Sequence, residues 1–330
     1  MLLPGHDPAA IEAAARRLAD GGLLGLPTET VYGLAARADR DGAVAGIFAA
    51  KGRPSDHPLI VHVLDAAAAE AFADHLPATA RRLMDAFWPG PLTVIVPRRP
   101  GVAEAAAGGH ATVALRSPAH PVARAVMAAA RVLGVQGVAA PSANRFGRVS
   151  PTRARHVVEE FGPELMVLDG GACDVGIEST IVDCSRERPA LLRPGLLSRA
   201  RIEAALGQPL AEPDAAAPKA SGTLAAHYAP SARVRLLDAP SLALRLATAA
   251  ASGGLEGVAV YSRAQLPAWP AVTRQAMPAD PAAAAHELFA VLRTLDAAGV
   301  REIWVEAPPG DPAWDGVRDR LSRAAAASTD

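Results

Sequence analysis

Lysine is nearly absent from this chain. Only Lys51 and Lys219 are present, while arginine is abundant, so the lysine heading Lys51-Gly52-Arg53-Pro54 is not generic surface charge. That turn is cationic, stiffened by proline and open to close backbone approach at its glycine, which suits a phosphate or a carboxylate. Arg116-Ser117-Pro118 and Arg193-Pro194-Gly195 are turns of similar make-up. Hydroxyl, amide and carboxylate groups fill three more: Pro27-Thr28-Glu29-Thr30, Pro141-Ser142-Ala143-Asn144 and Gly176-Ile177-Glu178-Ser179-Thr180. Each turn alone is an ordinary loop, and a single arginine is ordinarily a surface or salt-bridged residue. Together they describe one cavity lined by Lys51, Arg53, Arg116 and Arg193, with Ser and Thr hydroxyls between. Four converging cations repel one another unless an anion neutralises them. Glu29 and Glu178 stand as general bases or as turn caps. A lone histidine in an apolar strand is ordinarily a satisfied core residue. His62 follows Thr30 by 32 residues, on a strand read here as neighbouring, so the two can share a site.

The elements that must position these turns follow from the apolar pattern. Leu23 to Leu26 and Pro58 to Val63 read as buried strands, with a helix from Asp41 to Ala50 between them. Asp7-Pro8 caps a helix running to Ala19. Further helices are expected over Ala66–Asp74, Ala78–Phe87, Pro121–Leu133 and Ser198–Leu206, and one capped by Ser150-Pro151-Thr152 running to Phe161. Strands are expected at Leu92–Val96, Thr112–Leu115, Gly137–Ala140, Leu165–Leu168, Ser179–Asp183 and Ala190–Leu192. Helices mixed with paired strands point to an open, twisted, mixed α/β sheet, whose ligands sit outside strand ends. Residues 208–232 are rich in Pro, Ala, Gly and Asp and read as a linker. From residue 233 a βαβα rhythm resumes: strands at Val234–Leu237, Gly257–Tyr261 and Glu302–Val305, and helices at Ser241–Ala251, Pro281–Ala297 and Trp314–Ala327. The chain is thus divided into a domain over 1–207, a linker over 208–232 and a small Rossmann-like α/β domain over 233–330.

Bulk properties narrow the function. The chain has 330 residues, half of them apolar, and a net charge of −1. Such a balance does not suit sequence-independent grip on nucleic acid. Cys173 and Cys184 form no Cys-x-x-Cys pair, so no zinc site or disulfide framework is implied. No apolar run reaches the ~18 residues of a membrane span, and a soluble, cytoplasmic protein is expected. The phosphate-loop, dinucleotide, zinc-protease and serine-hydrolase signatures are all missing, so any nucleotide is held another way.

The string of motifs PTETVYGL (27–34), KGRP…HPLIVHV (51–63), FWPGPLTVIV (87–96), VALRSP (113–118), APSAN (140–144), GIESTIVD (176–183), LLRPG (191–195) and HYAP (227–230) resembles the YrdC-like family, in the long two-domain form of the threonylcarbamoyl-AMP synthases. The resemblance implies an open twisted sheet with a large positive cavity. It also implies a nucleotidyl-transfer reaction: L-threonine, bicarbonate and ATP give threonylcarbamoyl-adenylate, pyrophosphate and water. A partner transferase then takes the product to tRNA. Carried over position by position, Lys51 and Arg53 are catalytic, and Thr30, His62, Arg116, Ala140 and Ser179 surround the threonine. Lys51, Arg53, His57, Thr112, Ser142, Asn144, Ser150, Arg193, His227 and Tyr228 surround the nucleotide, the last two on a linker that closes as a lid. Mg²⁺ is expected with ATP, with no protein metal site and no organic cofactor, together with a weak tRNA contact, no membrane and a monomeric state. The chain departs from the pattern twice. His57 stands where the family carries Asn, and the Pro-Gly-Met-Lys-Tyr-Arg-type run before His227 is missing. The rivals are a carbamoyl-adenylate enzyme with another acceptor, an RNA-binding module, and a family member without synthase activity.

Overall fold

Asp7 starts the first helix as expected. Its side chain accepts from the Ala9 N–H at 3.0 Å, and a proline follows it at the first helical position. The computed structural model describes residues 1–267 and 269–327. They form two units, one of residues 1–146 and 150–223, the other of residues 147–149 and 224 onward.

Among the described residues, the first unit has ten strands: β1 (Leu2–Pro4), β2 (Leu24–Leu26), β3 (Gly33–Arg37), β4 (Ile60–His62), β5 (Leu92–Pro97), β6 (Thr112–Arg116), β7 (Val138–Ala139), β8 (Met166–Asp169), β9 (Thr180–Asp183) and β10 (Ala190–Arg193). They form one mixed sheet in the order β1-β8-β2-β3-β7-β4-β6-β5-β9-β10. Helices α1 (Pro8–Ala19), α2 (Asp41–Lys51), α3 (Ala66–Ala69), α4 (Ala78–Phe87), α5 (Pro121–Val132), α6 (Ala154–Phe161) and α7 (Arg199–Leu206) connect them.

Side-chain alternation along the central strands decides where the site can be. Val61, Leu115, Val94 and Val182 point into the main core, among residues of α2, α4 and α7. Their strand neighbours Ile60, Ala114, Ile95 and Ile181 point the other way and form a small separate cluster. Among the described residues, the hydrophobic side chains packed on that cluster are the partly buried Leu192 and Ala220, neither of which is helical. A second core, of α1 and α5 residues with β2 and β8, sits towards the other end of the sheet. His62, Arg116, Thr93 and Ser179 share parity with the small cluster, two residues along from Ile60, Ala114, Ile95 and Ile181.

Several expectations need correction. α3 ends at Ala69 rather than near Asp74. The chain beyond it tightens into i→i+3 turns, and the Asp74 N–H turns to the carbonyl of Pro97 at 3.0 Å. Ser150 does not cap α6, whose N-cap is Arg153 without a side-chain cap bond. β4 is not beside the β2 end that carries Thr30, because β3 and β7 lie between them.

The second unit is a parallel sheet in the order β11 (Arg233–Leu237), β14 (Glu302–Glu306), β12 (Val258–Ser262), β13 (Thr273–Ala276), with α8 (Ala239–Ala251), α9 (Pro281–Ala297) and α10 (Asp315–Ala326). Residues 147–149 join this unit: the Ala229 N–H donates to the Gly147 carbonyl at 2.8 Å, and Arg293 donates to the Val149 carbonyl.

Candidate functional site

The Pro27–Thr30 turn is shaped by its own hydroxyls. Thr28 Oγ1 accepts from the N–H groups of Thr30 and Val31, both at 3.2 Å, and donates to the Val31 carbonyl at 2.6 Å. This turn delivers Thr30 and Glu29 to Arg116, the last residue of β6. Arg116 Nη1 donates to Thr30 Oγ1 at 2.7 Å, and Nη2 lies 2.7 Å from Glu29 Oε1. The second carboxylate oxygen of Glu29 accepts from the Ala119 N–H at 3.1 Å. All three side chains are buried. An Arg–carboxylate pair removed from water persists only when the remaining polar atoms are also bonded, and here the hydroxyl and the backbone amide do that work.

His62 pairs in register with Arg116 across β4 and β6. Thr30 and His62 are therefore brought together through Arg116 and not by adjacent strands. Burial first, then the Arg116 charge, push His62 down to about 3, so its ring is neutral at physiological pH. Ala140 lies beside them at the end of β7, its N–H donating to the Ile60 carbonyl at 3.0 Å.

Lys51 closes α2. Gly52 follows in the left-handed region at φ 64°, where a residue with a β-carbon is disfavoured, and ends the helix there. Lys51 Nζ donates to the carbonyls of Ser142 (2.6 Å) and Asn144, and the Lys51 carbonyl accepts from the Phe146 N–H at 2.9 Å. The Pro141–Asn144 turn is thus wrapped round one ammonium. Burial, reinforced by the Arg53 charge, holds Lys51 well below the usual lysine range. Arg53 donates to the Pro58 carbonyl at 3.0 Å and lies 5.8 Å from the Phe146 ring centroid. His57 meets the same ring edge-on at 5.6 Å, and burial with the Arg53 charge lowers its pKa. Thr112 starts β6, half-buried.

Arg193 follows an irregularity in the β9/β10 pairing between Leu191 and Arg193, a bulge of the kind that re-aims a side chain. Its guanidinium donates to the Ser179 carbonyl at 2.9 and 3.1 Å and to the Ser221 carbonyl at 2.7 Å. Ser179 Oγ in turn bonds Thr93 Oγ1 at 2.7 Å. Arg53 also reaches Ser221, at its hydroxyl, at 3.4 Å. A β-carbon on Gly195 would lie 2.6 Å from the Thr180 nitrogen, so only glycine lets the Arg193-Pro194-Gly195 turn lie against β9. Ser150 donates to Glu178 Oε1, which makes Glu178 a partner of the Ser150 hydroxyl rather than only a turn residue.

A chain of contacts thus runs from Arg53 through Ser221, Arg193 and Ser179 to Thr93, with Arg116 and His62 at the ends of β6 and β4, Thr30 on the turn after β2 and Lys51 at the α2 end. His227 and Tyr228 belong to the second unit. There their rings meet at 4.2 Å, Tyr228 takes a left-handed φ of 61°, and its ring packs on Phe289 at 5.3 Å under Arg320. Sequence reasoning assigned no role to Ser221, Thr93 or Phe146. Ser221 was concealed by linker composition, and Thr93 by looking like any strand threonine. Phe146 stands just past the Asn144 motif and carried no signal of its own. Among the described residues, no group of three or more His, Cys, Asp or Glu is placed to hold a metal.

The comparisons agree with the motif string. A model of the Sua5/YciO/YrdC proteins, described as "Telomere recombination", matches residues 16–195, and one described as "Threonylcarbamoyl-AMP synthase, C-terminal domain" matches residues 197–326. The chain belongs to the YrdC-like threonylcarbamoyl-AMP synthase family. Among relatives in this family, the threonylcarbamoyl-AMP synthase of Pyrococcus abyssi is 43% identical over 238 residues, 70% of this chain and 68% of that protein. That of Bacillus subtilis is 40% identical over 240 residues, 71% of this chain and 68% of that protein. The crystal structure of P. abyssi Sua5 complexed with L-threonine superimposes with a TM-score of 0.86 at 35% identity, covering 96% of this chain and 94% of that one.

Proposed function

We infer that this chain is a threonylcarbamoyl-AMP synthase, a nucleotidyltransferase that supplies the threonylcarbamoyl group for N6-threonylcarbamoyladenosine in tRNA. The observation that carries the reading is the convergence of Thr30 and His62 on Arg116, whose guanidinium already holds a carboxylate. That is the chemistry an amino-acid carboxylate requires, and a close relative has been crystallised with L-threonine.

In the proposed reaction, the threonine carboxylate engages Arg116, with Glu29 sharing or yielding the guanidinium. Thr30, Ser179 and the Ala140 backbone frame the rest of the amino acid. Neutral His62 offers one N–H and one lone pair without adding charge. The threonine amine adds to CO₂ with loss of a proton, or to bicarbonate with loss of water, to give a carbamate. A carbamate oxygen then bonds to the α-phosphorus of ATP as the bond from that phosphorus to the bridging oxygen breaks, and pyrophosphate leaves. Lys51, Arg53 and Arg193 face the phosphates, with His57, Thr112, Ser142, Asn144 and Ser150 as further nucleotide contacts. Catalysis is positioning and charge stabilisation, with no covalent enzyme intermediate.

Among the described residues of this site, Glu29 is engaged by Arg116 and Ala119, and Glu178 by Ser150. Mg²⁺ accompanying ATP would be carried on the nucleotide's own phosphates. The proposal further assigns residues 1–207 to catalysis, 208–232 to a linker and 233–330 to a separate C-terminal domain. It also includes a tRNA-modifying transferase as product acceptor, a weak tRNA contact, a monomeric state and a cytoplasmic location. No described helix is long and apolar enough to cross a membrane.

The test is pyrophosphate release from ATP and Mg²⁺ with each substrate omitted in turn. Release requiring both L-threonine and bicarbonate is expected. Release without threonine would reassign the carbamate acceptor, and no release from folded protein would overturn the reading.

A further inference from the structure

The second unit carries a cavity of its own, of about 840 Å³, within the ~300–1,000 Å³ range of small-molecule sites. It opens where three parallel strands begin, at Arg233 of β11, Glu302 of β14 and Val258 of β12. One side of α8 forms the opposite wall, with Ser241, Leu244, Arg245 and Thr248 at helical spacing. None of these residues takes part in the site described above.

The lining has three chemical parts. The first is cationic. Arg233 and Arg301 are joined by a backbone bond from the Arg233 N–H to the Arg301 carbonyl at 2.9 Å, so both side chains start from one point on the rim. Among the described residues Arg233 has no ion pair, and the Arg301 guanidinium has none either, donating to the Glu256 carbonyl at 2.7 Å. The acidic Glu302 does not cancel them, because Arg235 holds its Oε1 at 2.8 and 2.9 Å and the Trp304 ring N–H holds its Oε2 at 2.6 Å. The second part is planar. The Arg245 guanidinium lies 4.8 Å over the Trp304 ring, with its side chain 42% exposed, so it offers a further stacking surface. The third part is apolar. Leu244 is 70% exposed on the helical wall, so its side chain is open to the cavity side of α8. Arginines for a phosphate, a guanidinium–indole layer for a flat ring and an aliphatic wall beside it describe one kind of ligand.

We propose that the cavity between α8 and the starts of β11, β14 and β12 binds a nucleotide, its phosphate on Arg233 and Arg301 and its base against Arg245 and Leu244. Two sources share this chemistry: a free mononucleotide, and an unpaired nucleotide within RNA.

The experiment follows hydrogen exchange in the full-length protein on peptides covering residues 239–258 and 301–306. The probes are AMP, a single-stranded RNA tetranucleotide and inorganic phosphate, added separately. Slower exchange in these peptides with AMP assigns a free nucleotide, and slowing with RNA alone assigns an RNA nucleotide. Arg233→Glu and, independently, Leu244→Asp should each weaken the protecting probe about tenfold, the size expected when one charge-assisted contact or one apolar wall is lost. Both positions are at the surface, and the thermal midpoint of each variant verifies folding. Protection confined to residues 1–223 with both nucleotide probes would overturn the proposal. So would protection unchanged in both variants, or inorganic phosphate matching AMP in affinity.

Discussion

His62 gives the strictest quantitative test of the site's electrostatics. Its folded value, about 3, lies below the ordinary 6.5 because burial and the Arg116 charge disfavour the imidazolium. The unfolded chain therefore takes up a proton first as pH falls. Stability is complete above about pH 6.5 and is lost on the way down towards pH 3. The linked cost is about 0.2 kcal/mol at pH 7 and about 2 kcal/mol at pH 5. Because pH 5 still lies above the folded value, this figure is set by the ordinary histidine value and hardly depends on how deep the depression is. His62→Gln has no group to titrate there. The assay is urea unfolding of wild type and His62→Gln at both pH values, so that all other titrating groups cancel in the difference. Wild type should lose about 2 kcal/mol more than the variant between pH 7 and 5, equivalent to roughly 4–8 °C in thermal midpoint for a unit of this size. Equal pH slopes would refute the claim that His62 is buried, neutral and beside Arg116.

Three further outcomes follow from the same contacts. Glu29→Ala leaves the buried Arg116 charge with only neutral partners, the Thr30 hydroxyl and the Gly90 carbonyl among them, and should cost about 3–5 kcal/mol in urea unfolding; a loss below about 1 kcal/mol would mean that the pair is solvated. Lys51→Met and Arg53→Ala should each lower threonine-dependent pyrophosphate release by about 10²-fold or more, the scale of losing one preorganised charge-stabilising donor. Lys51→Met should also loosen the Pro141–Asn144 turn that its ammonium holds, and full turnover in both variants would remove these residues from the mechanism. Finally, a phosphate placed against Lys51 raises a pKa that burial and Arg53 hold low. Binding of a non-hydrolysable ATP analogue should therefore take up protons and weaken as pH rises, and titration calorimetry giving the same heat in buffers of different ionisation enthalpy would contradict that.

Legibility followed the strength of the local signal. α4 and α9 have the boundaries that periodicity and flanking proline predict, because an apolar face bounded by proline writes both the face and the ends of a helix into the chain. β1, β3 and β13 went unread. β1 has three residues, β3 is Gly-Leu-Ala-Ala-Arg without alternation, and β13 is exposed throughout; each is a strand only because a partner strand accepts it. The missing β3 is also why Thr30 and His62 were placed on neighbouring strands. In the site, the cations were legible because lysine is so scarce and because each arginine stands in a proline turn. What they bind was not. The carbonyls that hold Lys51 and the Ser221 that meets both Arg53 and Arg193 are set by long-range closure, to which composition is blind. Ser150 shows the same limit from the other side: its Ser-Pro-Thr sequence is a good helix cap, yet a buried carboxylate 28 residues away takes the hydroxyl.

The alternation through β4, β5, β6 and β9 means that these few short segments carry two texts at once, one written at even and one at odd positions. The core text tolerates changes of letter that keep volume; the site text tolerates almost none at His62, Arg116 or Ser179, but is indifferent to volume at the positions between. Loss of a single residue within β4 or β6 would exchange the two, sending an arginine or a histidine into the main core and a valine or leucine towards the substrate. Variation in this family should therefore accumulate as substitutions along these strands and as length changes only in the turns between them, and a library of single-residue deletions scored for folded protein would show the same division.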